Sequence, residues 1–195
     1  MNTGGQFVKN YLNRDWLVEQ NQDRWTIQPN EADINKLLVL YTFTEEHGIF
    51  KNLQLVFEIT IHEEHPYKAP SIKTKTPNGR TKVNESLCID GLTAWHPESW
   101  TIVTSMSSII ERFLSAFIDI ENIEKGVGFI TDSNHDSIQT FAKESIAWNW
   151  AHYTDLVIAF RDQATEYVVS KQFPALETKQ EQEEESEYIY SDDES

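Results

Sequence analysis

The sequence predicts an α+β domain: one helix, a four-stranded antiparallel meander, an irregular stretch, then further helices. Three observations carry this. Apolar residues near the N-terminus recur at helical spacing, two runs between residues 37 and 61 alternate with a period of two around a short polar turn, and helical spacing returns after residue 104. Helices that follow a sheet instead of alternating with its strands give a layered α+β domain, not a doubly wound one.

Taken in order, Phe7, Val8, Tyr11, Leu12 and Trp16 follow the i, i+3, i+4 stripe and predict a first helix over Gln6 to Gln20. A first strand is expected at Trp25 to Gln28. The second spans Leu37 to Thr44, where Leu37, Val39, Tyr41 and Phe43 alternate with Leu38, Leu40 and Thr42. Glu45 to Gly48 reads as the turn into a third strand, Leu53 to Ile61, which places Leu53, Leu55, Phe57, Ile59 and Ile61 on one face. A short fourth strand, Ser71 to Thr76, stops at the turn residues Pro77-Asn78-Gly79. Helices are expected at Thr104 to Ile118, with Met106, Ile109, Ile110, Phe113, Leu114 and Phe117 in register, then at Asp136 to Trp150 and Tyr153 to Ser170.

At 195 residues the chain suits one domain with a full core. Its net charge of -16 disfavours nonspecific nucleic-acid binding and adhesion to anionic membranes. The N-terminal residues lack a signal-peptide run, and stretches such as Leu37 to Tyr41 are too short to cross a bilayer, so a soluble protein without a membrane anchor is expected. From Glu177 to Ser195 nine acidic residues face one lysine, and almost nothing apolar is present before Tyr188. Such a segment cannot offset its chain entropy by burial. The expected division is a folded domain over 1-173 and a disordered acidic tail over 174-195, either solubilising or docking on a basic partner.

The lone cysteine, Cys88, stands ten residues after Asn78 and twelve before Trp100. One thiol makes no internal disulfide and is too few for a cysteine-built zinc site. It is either a small buried hydrophobe or a nucleophile. His62 and His65 are three apart but have no further ligands for a metal. Trp95 and Trp100 read as core or loop anchors, and His96 lies on the loop between Cys88 and Trp100.

The motifs around the thiol decide between its two readings. The stretch His65-Pro66-Tyr67-Lys68-Ala69-Pro70 resembles the Tyr-Pro-Phe-Lys-Pro-Pro stretch of ubiquitin-conjugating enzymes, whose prolines confine the crossing to an extended path. Thr76-Pro77-Asn78 stands where most members have His-Pro-Asn. The run Thr76-Pro77-Asn78-Gly79-Arg80, together with Asn84, Leu87-Cys88 and His96-Pro97-Glu98-Ser99-Trp100, resembles the tail-anchored branch that serves endoplasmic-reticulum quality control. Leu114 to Phe117 and Ser145 to Trp150 resemble its helical segments. The likeness covers about residues 6 to 170 and is strongest from 65 to 100. The branch's transmembrane C-terminus is replaced by the acidic tail, which is closer in kind to that of conjugating enzymes working with cullin ligases. The usual Gly-Pro turn and Gly-Gly are missing, and Thr101-Ile102-Val103 replaces the ligase-contacting Ser-Pro-Ala.

The resemblance implies a ubiquitin-conjugating fold and an acyltransferase that holds ubiquitin as a thioester on Cys88. It implies ubiquitin, the activating enzyme, a ubiquitin ligase and protein substrates as partners, and no cofactor of its own, since ATP is used by the activating enzyme. Cytoplasmic localisation is expected, with the nucleus as a second compartment. Asn78 is either an oxyanion donor or the organiser of its loop; loss of one such donor raises a barrier by about 3 kcal/mol, whereas Asn also suits turns. His96 either accepts a proton, with an unperturbed pKa of about 6.5, or shapes its loop. The alternatives are a non-catalytic binding module and a carrier of another ubiquitin-like modifier.

Overall fold

The computed structural model describes residues 2–12, 25–95, 97–102, 105–121 and 126–163. Helix α1 (Thr3–Asn10) precedes strands β1 (Trp25–Asn30), β2 (Asp33–Thr42), β3 (Gln54–Thr60) and β4 (Ser71–Thr74), and helices α2 (Met106–Ile118), α3 (His135–His152) and α4 (Thr154–Gln163) follow. The strands form one antiparallel sheet in the order β1-β2-β3-β4. This is the expected α+β order.

Helix α1 begins three residues before the expected start. Asn2 caps it, accepting the Gly5 N–H at 2.6 Å, and the Gly4 N–H bonds the Glu63 carbonyl at 2.9 Å. A β-carbon at Gly4 would lie 2.0 Å from the His62 carbonyl oxygen, so the close approach requires glycine. Residues 13–20 of the expected first helix, Trp16 among them, lie outside the described residues. The expected turn at Glu45 is a 3₁₀ helix, Glu45–Phe50.

The register pairs Val39 with Ile27 on one side and with Phe57 on the other. Period-two alternation then directs Val39, Tyr41, Leu55, Phe57, Ile59 and Ile72 to one face, where they meet α2 through Met106, Ile109, Ile110, Phe113 and Phe117. The rings of Phe57 and Phe113 are 4.5 Å apart. Each such side chain contributes about 1.5–3 kcal/mol on burial.

The opposite face is covered too. Leu40 and Val56 pack with Leu156, Val157 and Phe160 of α4, with Leu38, Ile146 and Trp150 around them. This accounts for the unbroken apolar run Leu37 to Tyr41: β2 is buried on both faces, which ordinary half-exposed strands are not.

Helix α3 is tied to β3 by a buried polar network. The Gln54 N–H donates to Ser145 Oγ at 2.9 Å, Asn149 Nδ2 donates to the Gln54 carbonyl at 2.9 Å, and Thr76 Oγ1 donates to Asn149 Oδ1 at 2.6 Å. Thr76 Oγ1 also accepts the Val56 N–H at 2.8 Å. These bonds serve backbone groups of β3 beyond the end of β4. They also fix Thr76, the residue before the Pro77-Asn78 turn.

Candidate active site

The segment before the thiol lies along β4. The Asn84 N–H donates to the Thr74 carbonyl at 2.8 Å, Ser86 bridges to Lys73, and the Leu87 N–H donates to the Ile72 carbonyl at 2.9 Å. Leu87 and Ile89 are buried in the main core, so the chain is anchored on both sides of Cys88, which is 8% exposed. Past the cysteine the chain turns at once. The Ile89 N–H donates to Thr93 Oγ1 at 2.9 Å, the Thr93 N–H returns to the Ile89 carbonyl at 3.0 Å, and Gly91 takes φ 68°.

Asn78 is 1% exposed and organises its own turn. Its Oδ1 accepts the N–H groups of Arg80 at 2.9 Å and Thr81 at 2.8 Å. Its Nδ2 donates to the Thr76 carbonyl at 2.8 Å and to Thr81 Oγ1 at 3.0 Å. An amide has two donor hydrogens, and both are engaged within the turn.

A third segment joins the Asn78 turn to the thiol. The Gly126 carbonyl accepts the Phe129 N–H at 3.3 Å across a turn in which Gly128 takes φ 89°, a value that suits glycine at the third position of a type II turn. One edge of this strap accepts the Cys88 N–H on the Val127 carbonyl at 2.9 Å. The other accepts the Lys82 N–H on the Gly128 carbonyl at 2.8 Å and sends the Ile130 N–H to the Arg80 carbonyl at 3.0 Å. A β-carbon at Gly126 would stand 3.4 Å from the Cys88 Sγ. Sequence reading missed this strap; two glycines around one valine are the only signal it leaves.

The nearby cations point elsewhere. Arg80 is buried, donating through Nε to the Phe117 carbonyl at 3.3 Å and through Nη2 to the Asp119 carbonyl at 2.8 Å, with its guanidinium 4.9 Å from the Phe129 ring centroid. It closes the C-terminal end of α2, where a cation complements the helix dipole. Burial lowers its pKa, and the Asp119 charge opposes that shift. Lys82 pairs with Glu85 at 3.5 Å.

Trp100 is the anchor the sequence suggests: its Nε1 donates to the Pro66 carbonyl at 2.8 Å. Trp95 is not. It is 52% exposed, because the turn that follows Cys88 keeps it at the surface. His65 is buried between the rings of Phe7 (4.4 Å) and Trp100 (6.2 Å). His96 lies outside the described residues. No described helix is long and apolar enough to cross a membrane.

No family model matches the chain. Curated relatives do. It is 30% identical over 135 residues to Ubiquitin-conjugating enzyme E2 6 of Debaryomyces hansenii, a match over 69% of this chain and 53% of that protein. It is 34% identical over 111 residues to Ubiquitin-conjugating enzyme E2 34 of Arabidopsis thaliana, over 57% and 43%. It is 36% identical over 108 residues to Ubiquitin-conjugating enzyme E2 J2 of Homo sapiens, over 54% and 38%. The chain thus spans about half, or less, of the length of these relatives. Among solved structures, that of human Ubiquitin-conjugating enzyme E2 G1 matches with a TM-score of 0.47 and 17% identity, over 61% of this chain and 98% of that one, too loose a likeness to argue from. By these sequence matches the chain is a relative of the ubiquitin-conjugating enzymes.

Proposed function

We propose that the chain is a ubiquitin-conjugating enzyme that holds ubiquitin as a thioester on Cys88. In the loading step the Cys88 thiolate attacks the carbonyl carbon of the activating enzyme's thioester. A carbon–sulfur bond forms, and the activating enzyme's thiolate leaves. In transfer, an amine (or a hydroxyl) of the substrate attacks the same carbon and gives up its proton, and the Cys88 thiolate is the leaving group. One observation carries the reading: the only cysteine of the chain stands in the family's register, between the Asn78 turn and the Trp100 anchor. The engagement of both Asn78 amide hydrogens supports loop organisation as its contribution.

The partners that follow are ubiquitin, the activating enzyme, a ligase and protein substrates. Ile102, 53% exposed, stands in the segment that the resemblance gives to ligase contact. No cofactor is needed beyond the ATP used by the activating enzyme, and the cytoplasm is the compartment proposed, with the nucleus beside it. The acidic segment from 174 to 195, outside the described residues, is proposed as a separate tail.

The test is a thioester assay with activating enzyme, ATP and a panel of ubiquitin-like modifiers. A reductant-sensitive adduct is expected, absent from Cys88→Ala and converted to a reductant-stable ester in Cys88→Ser. The second reading, a binding module without catalysis, draws on the 8% exposure of Cys88. Failure of every modifier to charge the wild type would overturn the enzyme reading.

A further inference from the structure

Arg80 is a fully buried cation where three segments meet. Its N–H belongs to the Asn78 turn, donating to Asn78 Oδ1 at 2.9 Å, and its carbonyl accepts the Ile130 N–H of the strap at 3.0 Å. Its guanidinium donates to the Phe117 and Asp119 carbonyls at the end of α2, at 3.3 and 2.8 Å. Burying a charge is costly, and a helix end can be closed without one. What the guanidinium reaches in addition is the strap: it stands 4.9 Å from the centroid of the Phe129 ring. Phe129 is the one fully buried side chain of residues 126 to 130, since Gly126 and Gly128 have none, Val127 is exposed and Ile130 is half-buried.

Two residues before Phe129, the Val127 carbonyl holds the Cys88 N–H at 2.9 Å, and between them the Gly128 carbonyl holds the Lys82 N–H at 2.8 Å. Leu87, next to the thiol, is fixed independently, its N–H donating to the Ile72 carbonyl of β4 at 2.9 Å. The cysteine's own N–H therefore depends on the strap, and its neighbour's on the sheet. We propose that Arg80 is a positioning residue for Cys88: its guanidinium pins Phe129 and so fixes the strap whose Val127 carbonyl holds the thiol-bearing residue. A planar fork serves two carbonyls and a ring at once, which a compact ammonium does not. The bearing of this on acyl transfer rests on Cys88 as the carrier. The positioning itself is read on the free protein.

Amide hydrogen exchange, followed by NMR on the full chain, tests it. Arg80→Met keeps a long apolar stem and loses every donor. The amides bonded to the strap or within it, Cys88, Lys82 and Ile130, should then exchange about tenfold faster, the scale of one desolvated cation–π contact. Leu87 and Asn84, whose N–H groups bond β4 carbonyls, should keep their protection. Arg80→Lys should not restore the strap amides. Acceleration of all five amides by one common factor would assign Arg80 to global stability alone and overturn the proposal. Unchanged exchange at Cys88 overturns it too.

Should Arg80→Met fail to fold by circular dichroism, Phe129→Leu carries the test, because it removes the ring and leaves the carbonyl bonds of Arg80 in place. The same strap-limited acceleration is expected, and a uniform or absent one overturns the proposal. Loading with ubiquitin then separates the two readings. Where the wild type charges, Arg80→Met should charge about tenfold more slowly, and an equal rate overturns the positioning role. If no modifier charges the wild type, the carrier reading fails, and the exchange pattern decides for or against Arg80 without it.

Discussion

The indole Nε1 of Trp100 donates to the Pro66 carbonyl at 2.8 Å, joining segments 34 residues apart. The same ring approaches His65, which packs on Phe7 of α1. The loop that leaves Cys88 is thus fastened at its far end to the proline-rich crossing and, through His65, to the first helix. The segment entering Cys88 is fastened to β4 by Leu87. The thiol lies between two fixed points.

Trp100→Phe keeps most of the ring contact and removes the N–H. The Pro66 carbonyl is left without that donor, at a cost of about 1 kcal/mol. Urea unfolding should show this as a lower midpoint with unchanged slope. Limited proteolysis between residues 89 and 102 should become faster. A midpoint equal to that of the wild type would mean the bond contributes nothing net.

Tyr153 gives a pH dependence with a definite sign. Burial raises its phenol pKa, and the Glu58 carboxylate adds to the shift. The folded state therefore keeps a proton that the unfolded chain releases near pH 10, so its contribution is complete below about pH 10 and is lost as pH rises further. Tyr153→Phe should flatten the alkaline fall in melting temperature. An equally steep fall in the variant would place its origin in another group.

The sheet was legible because Leu53 to Ile61 alternates cleanly, and the register follows once one face must be buried. The covering of the second face was not. Leu38 and Leu40 announce burial, but the partners Leu156, Val157 and Phe160 lie far along the chain and show only helical spacing of their own. The early start of α1 was hidden because Gly4 and Gly5 disfavour helix locally; the contact with the His62 backbone overrides that preference. At the site, Cys88, Asn78 and Trp100 could be found as a motif. The close approach of Gly126 to the Cys88 backbone could not, since a glycine has no side chain to betray its partner. Trp95 misled because a large aromatic residue usually predicts burial.

Asn78 allows loop building to be separated from chemistry. Asn78→Asp keeps an oxygen for the Arg80 and Thr81 N–H groups but replaces the donor to the Thr76 carbonyl with an acceptor. A buried carbonyl facing a carboxylate should cost about 1–3 kcal/mol of stability. Charging of Cys88 should persist, while single-turnover discharge to lysine slows. The same network provides a control that leaves Asn78 in place. Asn149→Ala removes the acceptor of the Thr76 hydroxyl and the donor to the Gln54 carbonyl, loosening Thr76 from behind. If Asn78 acts by holding the loop, both variants should slow discharge in proportion to the stability they lose. If its amide reaches the reacting oxygen, Asn78→Asp should slow discharge far more than Asn149→Ala at equal loss of stability. Since both amide hydrogens are already engaged inside the turn, the proportional outcome is the one expected.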